Sequence, residues 1–182
     1  MALLKILIAP DKRLLKKSMP VEIFDKNLKD FAADLIETIN NEQASGIASI
    51  QVEDDPRFKY DSIPDGYRPQ PSIVIINIDE LIVAVNPKII AHNNEMKCNS
   101  EGCLSVPNLR IDIERYTKVT VEYQDLNGKT HTKEYDKWNA ICWQHEIDHL
   151  NGILAPERAP GMQKLLLWKK FEQINKQIKY RR

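Results

Sequence analysis

The sequence predicts an α+β fold, with small antiparallel or mixed sheets around a central helix and a further helix at the C-terminal end. Three observations carry this. Helical periodicity appears near both ends of the chain, β-branched runs are grouped between them, and an Asn127-Gly128 pair marks a hairpin turn. At 182 residues and 42% hydrophobic content, the chain suits a single domain over 1–182 and can bury a sizeable core.

Leu28, Phe31, Ala32, Leu35, Ile36 and Ile39 recur at helical spacing, which predicts an amphipathic helix from about Asp25 to Gln43. Ala44-Ser45-Gly46 breaks it. From Glu53 to Pro71 the chain carries Pro56, Pro64, Pro69 and Pro71, an Asp65-Gly66 turn and no apolar period, so a long surface loop is expected. Ile73 to Ile78 and Leu81 to Val85 read as strands, the second ended by Asn86-Pro87. Val119, Val121 and Tyr123 alternate before the Asn127-Gly128 turn. Helical spacing resumes from Trp138 to about Leu150. A last helix spans about 162–180, with Leu165, Leu166, Phe171, Ile174 and Ile178 expected inside. That helix is basic: Lys164, Lys169, Lys170, Lys176, Lys179, Arg181 and Arg182 face only Glu172.

Composition excludes several classes of function. The 26 basic and 26 acidic residues balance, which argues against DNA binding by the chain as a whole. The apolar start, Ala2 to Ala9, is too short for a membrane span and is broken by Lys5, and no export leader is visible. Three cysteines, an odd number, fit a reducing cytoplasmic compartment better than a disulfide framework. Each is then a core residue, a ligand or a nucleophile.

His145-Glu146-Ile147-Asp148-His149 falls on the helix from Trp138 to Leu150. Residues four apart lie one turn above each other, so two imidazoles can reach one metal while Glu146 can take a proton from a water beside it. The bland alternative is an exposed helix with two unrelated histidines. A third histidine ligand six residues on is missing, because that position holds Ala155, and Glu157 and Glu172 are the only later glutamates. Cys98, Cys103 and Cys142 remain. A lone cysteine is usually a small buried hydrophobe, a reading that suits Cys142 best and Cys103 least, since Gly102 beside Cys103 permits close backbone approach to a bound group.

Glu101-Gly102-Cys103-Leu104-Ser105 followed by Gln144-His145-Glu146-Ile147-Asp148-His149-Leu150 resembles the paired signature of the peptide deformylases. The family's third motif, G-x-G-x-A-A-x-Q, is partly kept as Ala44-Ser45-Gly46-Ile47-Ala48-Ser49-Ile50-Gln51. The resemblance implies an α+β fold around a metal-binding helix and removal of the formyl group from the N-terminal methionine of nascent chains. Related alternatives are a metallo-amidase with another acyl substrate and a non-catalytic, deformylase-like binding protein. By matching positions, Cys103, His145 and His149 would hold the metal and Glu146 would be the proton shuttle. Gln51 and the backbone N–H of Leu104 would hold the oxyanion. Gly46 would offer backbone hydrogen bonds to the peptide, while Ile47, Ile141 and Cys142 would line a pocket for methionine. Glu101 is expected to pair with Arg110 or Arg115. Ligand softness suits Zn(2+), whereas bacterial members work with Fe(2+), which is the metal expected here, with zinc able to occupy the same site. Action on chains leaving the ribosome suggests ribosome contact through the basic C-terminal helix. Ala44, Ser49 and Glu53 depart from the family pattern, and if either lost glycine, at 44 or 53, needed a positive φ, the substrate loop would take another path. The long stretch from Glu53 to Pro71 is then a candidate cap over the cleft.

Overall fold

Asp25 starts the first helix, α1 (Lys26–Glu42), in the computed structural model, which describes residues 2–180: its carboxylate accepts a hydrogen bond from the N–H of Leu28. Gln43 ends the helix in the left-handed region, φ 52°, so the observed span matches the predicted one. Leu28, Phe31, Leu35 and Ile39 form its buried stripe.

That stripe packs on one face of a five-stranded antiparallel sheet ordered β2-β4-β5-β8-β9. The strands are β2 (Gly46–Ala48), β4 (Ile73–Asn77), β5 (Leu81–His92), β8 (Lys118–Gln124) and β9 (Thr130–Asp136). The opposite face receives α2 (Lys137–Leu150). Strand β4 shows why its sequence is a continuous apolar run rather than an alternating one. Ile73 and Ile75 meet α1, while Val74 and Ile76 meet the α2 side, so both faces are covered.

Two smaller sheets complete the set. Strands β6 (Met96–Cys103) and β7 (Val106–Tyr116) form an antiparallel hairpin. Its Val106, Leu109, Ile111 and Ile113 pack with Leu7, Leu14, Leu154 and Phe171. Strand β1 (Lys17–Met19) runs parallel to β3 (Tyr67–Pro71). Phe171 lies on the C-terminal helix α3 (Gly161–Tyr180).

Three expectations need correction, and one condition is not met. Strand β5 does not end at Asn86-Pro87: Asn86 takes φ 51°, the register shifts between Val85 and Lys88, and pairing with β8 resumes through Ile89 and Val121. The stretch from Glu53 to Pro71 is not all surface loop, because it ends in β3, where Arg68 and Gln70 are buried. In α3, Leu165 and Leu166 are 56% and 59% exposed. The inward side carries Phe171 with Leu167, Trp168 and Ile174 partly buried, a rotation of the stripe that places Trp168 Nε1 on Glu157. The Ile178 side chain lies outside the described residues. Finally, neither Ala44 nor Glu53 has a positive φ; the left-handed residue here is Gln43.

Candidate metal centre and active-site cleft

Helix α2 sits between the large sheet and the β6–β7 hairpin, and every residue from Ala140 to Leu150 is buried. Trp143, Ile147 and Leu150 face the sheet. Helical spacing then turns His145 and His149 together towards Cys103 at the end of β6. His149 Nε2 stands 3.1 Å from His145 Nε2 and 3.2 Å from Cys103 Sγ, and all three ligand atoms lie within 4.8 Å of one another. A tetrahedral ion with ordinary nitrogen and sulfur bond lengths separates its ligands by roughly 3.3–3.6 Å, so this donor set fits a small cation with little adjustment.

The tautomer of His145 agrees with that reading. Glu101 Oε2 accepts from His145 Nδ1 at 2.8 Å, which turns the Nε2 lone pair towards the cluster. Burial, helped by the charges of His145 and Arg115, pushes His149 well below its ordinary range and keeps it neutral, as a ligand must be. Burial also disfavours a proton on His145, while Cys103 and Glu101 beside it outweigh that and raise the imidazole. Glu101 pairs with Arg115 through two bonds of 2.8 and 3.0 Å. Arg115 also donates to Asp148 at 2.5 Å, and Arg158 closes the network on Asp148. Arg110, the other expected partner, is exposed and donates to the carbonyl of Ser100.

Glu146 lies beside the cluster, and burial pushes its carboxyl up to about 7, His145 opposing and Glu101 adding to the rise. Its Oε2 has no hydrogen-bond partner among the described residues, an arrangement that costs free energy unless the oxygen serves a bound group. Gln51 ends a 3-10 turn, Ser49–Gln51, and is 1% exposed. Its Oε1 accepts from the N–H of Ala48 at 2.8 Å, which fixes the amide and directs Nε2 to Cys103 Sγ, 3.8 Å, and Ser105 Oγ, 3.3 Å.

Gly46, Gln51, Cys103, Leu104, Ile141, Cys142, His145 and Glu146 all line one cleft of about 650 Å³. Ile47 does not. Neighbours in a strand point to opposite faces; Gly46 faces α2, so Ile47 is fully buried in the core with Phe31 and Leu35. Nor does any residue from Glu53 to Pro71 line the cleft, because that segment turns away to pair with β1. The wall it was expected to supply comes from Leu4, Ile6 and Ile8, held by bonds from Leu7 N–H to Gln51 O and from Glu53 N–H to Lys5 O, and from Trp138 at the start of α2. The alternation of Leu4, Ile6 and Ile8 around Lys5 was the available signal. Cys98 is exposed and away from the site.

The Polypeptide deformylase family model matches residues 3–165. The chain belongs to the peptide deformylase family. A peptide deformylase of Bradyrhizobium diazoefficiens is 35% identical over 182 residues, covering 97% of this chain and 98% of its own. One from Helicobacter hepaticus is 37% identical over 179 residues, covering 98% and 93%. Among solved structures, the peptide deformylase of Legionella pneumophila superposes with a TM-score of 0.83 at 32% identity, over 100% of this chain and 99% of that one. That of Ehrlichia chaffeensis in complex with actinonin gives 0.80 at 31% identity, over 95% and 98%. This chain thus shares the fold and the length of the peptide deformylases.

Proposed function

We infer that this chain is a metal-dependent hydrolase that removes the formyl group from the N-terminal formyl-methionine of newly made proteins. The observation that carries the reading is convergence: Cys103, His145, Glu146 and Gln51 line one cleft, and His149, buried behind it, brings its Nε2 to the same cluster of ligand atoms. When bound by those three donors, a divalent cation supplies Lewis acidity that makes a water acidic near neutral pH. Glu146 Oε2 accepts the proton of the attacking water as it adds to the formyl carbon. The oxyanion that develops is met by Gln51 Nε2 and the N–H of Leu104. Glu146 then returns the proton to the leaving amine, and formate and a free amino terminus result. Ile141 and Cys142 offer the methionine side chain an apolar wall, and Gly46 presents backbone groups at the edge of the sheet to the peptide.

Ferrous iron is the working metal in this proposal, with zinc able to take the same ligands. The activity belongs in the cytoplasm, where nascent chains are met; no helix among the described residues is long and apolar enough to cross a membrane. Lys169, Lys170 and Lys176 are exposed on α3 and support ribosome contact, whereas Lys164 pairs with Glu157. The Lys179 side chain, Arg181 and Arg182 lie outside the described residues. Incubating the iron-loaded protein with a formyl-methionyl tripeptide should release formate, and a chelator should abolish it. Absence of formate from protein with full metal content would overturn the assignment.

A further inference from the structure

The segment that carries Gln51 is gripped by side chains of strand β3. Arg68, 3% exposed, donates through Nη1 to the carbonyl of Ile50 at 2.7 Å and through Nη2 to that of Val52 at 2.5 Å, one on each side of Gln51. Asp54 holds the guanidinium from behind at 2.5 Å. Gln70, fully buried, donates from Nε2 to the carbonyls of Ser49 and Glu53, at 3.1 and 2.9 Å. Ser49 Oγ donates to the carbonyl of Pro71 at 2.5 Å, and Leu7 N–H takes the carbonyl of Gln51 itself at 2.7 Å. Each carbonyl from Ser49 to Glu53 is therefore tied to a neighbouring element, four of the five to β3. A short 3-10 turn has few bonds of its own and would otherwise be free to tilt. Planar guanidinium geometry lets one side chain span two carbonyls from separate nitrogens in a fixed fork, which the single nitrogen of a lysine does not provide.

We propose that Arg68 and Gln70 are positioning residues for the reaction: strand β3 clamps the Ser49–Gln51 turn so that the Gln51 amide is aimed at the reacting carbonyl. The inference rests on the oxyanion role proposed for Gln51. It gives the stretch from Glu53 to Pro71 a function that its absence from the cleft leaves open, and it couples Ser49, a departure from the family motif, to the same strand.

A double-mutant cycle tests it, with formyl-methionyl tripeptide as substrate. Arg68→Ala should lower kcat about tenfold to a hundredfold, the scale of a small misplacement of a catalytic group, with KM and metal content near normal. In the Gln51→Ala background the same change should cost little more. Gln70→Leu, close in shape and lacking only the donors, should repeat the pattern and serves if Arg68→Ala does not fold. A second readout needs no turnover: in the zinc-loaded protein the two side-chain amide protons of Gln51 should have NMR shifts displaced from those of a free glutamine side chain, and in either variant both should move towards the free values. Equal losses with and without Gln51, unchanged kcat in Gln70→Leu, or unchanged amide signals would overturn the clamp. If Gln51→Ala alone keeps full turnover, the oxyanion reading falls and the inference with it; if Gln51→Ala is slow while both β3 variants are fast, only the inference falls.

Discussion

Replacing Gly46 by alanine separates fold from chemistry. A Cβ at that position would stand 2.5 Å from Glu146 Oε1 and 2.8 Å from both Glu146 Cγ and Cys142 Sγ, where ordinary contact begins near 3.4 Å. Glu146 Oε1 must therefore retreat by about 0.9 Å, and the two flanking atoms by about 0.6 Å. The carboxylate is the end of a movable side chain, so overpacking should cost only about 1–3 kcal/mol, partly offset by the ~0.5–1 kcal/mol that alanine gains over glycine in a strand. Function should suffer more. Misplacing a catalytic group by about 1 Å lowers the rate roughly a hundredfold, near 2.7 kcal/mol of barrier. Steady-state kinetics on a formyl-methionyl tripeptide, with metal content and thermal unfolding measured on the same samples, should thus show slow turnover in a folded, metal-loaded protein. Adding Cys142→Ala opens the sulfur side and should restore part of the rate. Normal turnover in Gly46→Ala would refute the placement of Glu146 as proton carrier; loss of metal would show that the displacement travels on into His145.

Glu146→Ala should keep the metal and lose turnover, whereas His149→Ala should lose the metal itself; metal analysis beside a formate assay checks both, and near-normal turnover of the first contradicts its role. Arg115→Met leaves Glu101 and Asp148 buried without their shared partner and should cost about 3–5 kcal/mol, a fall in Tm of roughly 6–20 °C for a chain of this size. A shift within error in a thermal melt would mean that the network is ornamental. Arg13 beside Asp11 holds that carboxyl down to about 2 against an ordinary 3.8. Its contribution is thus fully present above pH 4 and disappears as pH falls towards 2; Asp11→Asn should lie below the parent in Tm at neutral pH and converge with it in acid. The iron form should lose activity in air and the zinc form should keep it, because only iron has accessible redox chemistry; equal decay rates would contradict iron as the vulnerable component.

Much of this was legible where a residue's type and its surroundings agree. Helix α1 could be bounded because its apolar period runs out before Ala44-Ser45-Gly46, and Asp25 caps it as an aspartate does at an N-terminus. The β8–β9 hairpin followed from Asn127-Gly128. The β6–β7 hairpin escaped because its first strand, Lys97-Cys98-Asn99-Ser100-Glu101, is polar and mostly exposed; the apolar face belongs to β7 alone, where the alternation of Leu109, Ile111 and Ile113 was the unused signal. Asn86-Pro87 reads as a stop, and only a bulge, which sequence does not announce, carries β5 through it. In α3 the leucines outnumber the places available to them, so which of them turn inward is decided by Phe171 and its neighbours. At the site, the motif residues came together through helix spacing and one hairpin end. Arg68 and Gln70 were illegible for the opposite reason: polar side chains read as solvated unless one knows that backbone carbonyls wait for them.

The ion-pair network behind the histidines has a further meaning when formal charges are counted. Glu101 and Asp148 bring two negative charges, Arg115 and Arg158 two positive ones, and the set cancels. It orients His145 while adding no net charge beside the cleft. With a metal bound, Cys103 would ligate as its thiolate beside an ionised Glu146, two negative charges that a doubly charged cation would neutralise. A triply charged one would leave an excess positive charge in a pocket walled by low-dielectric protein, where such an excess is costly.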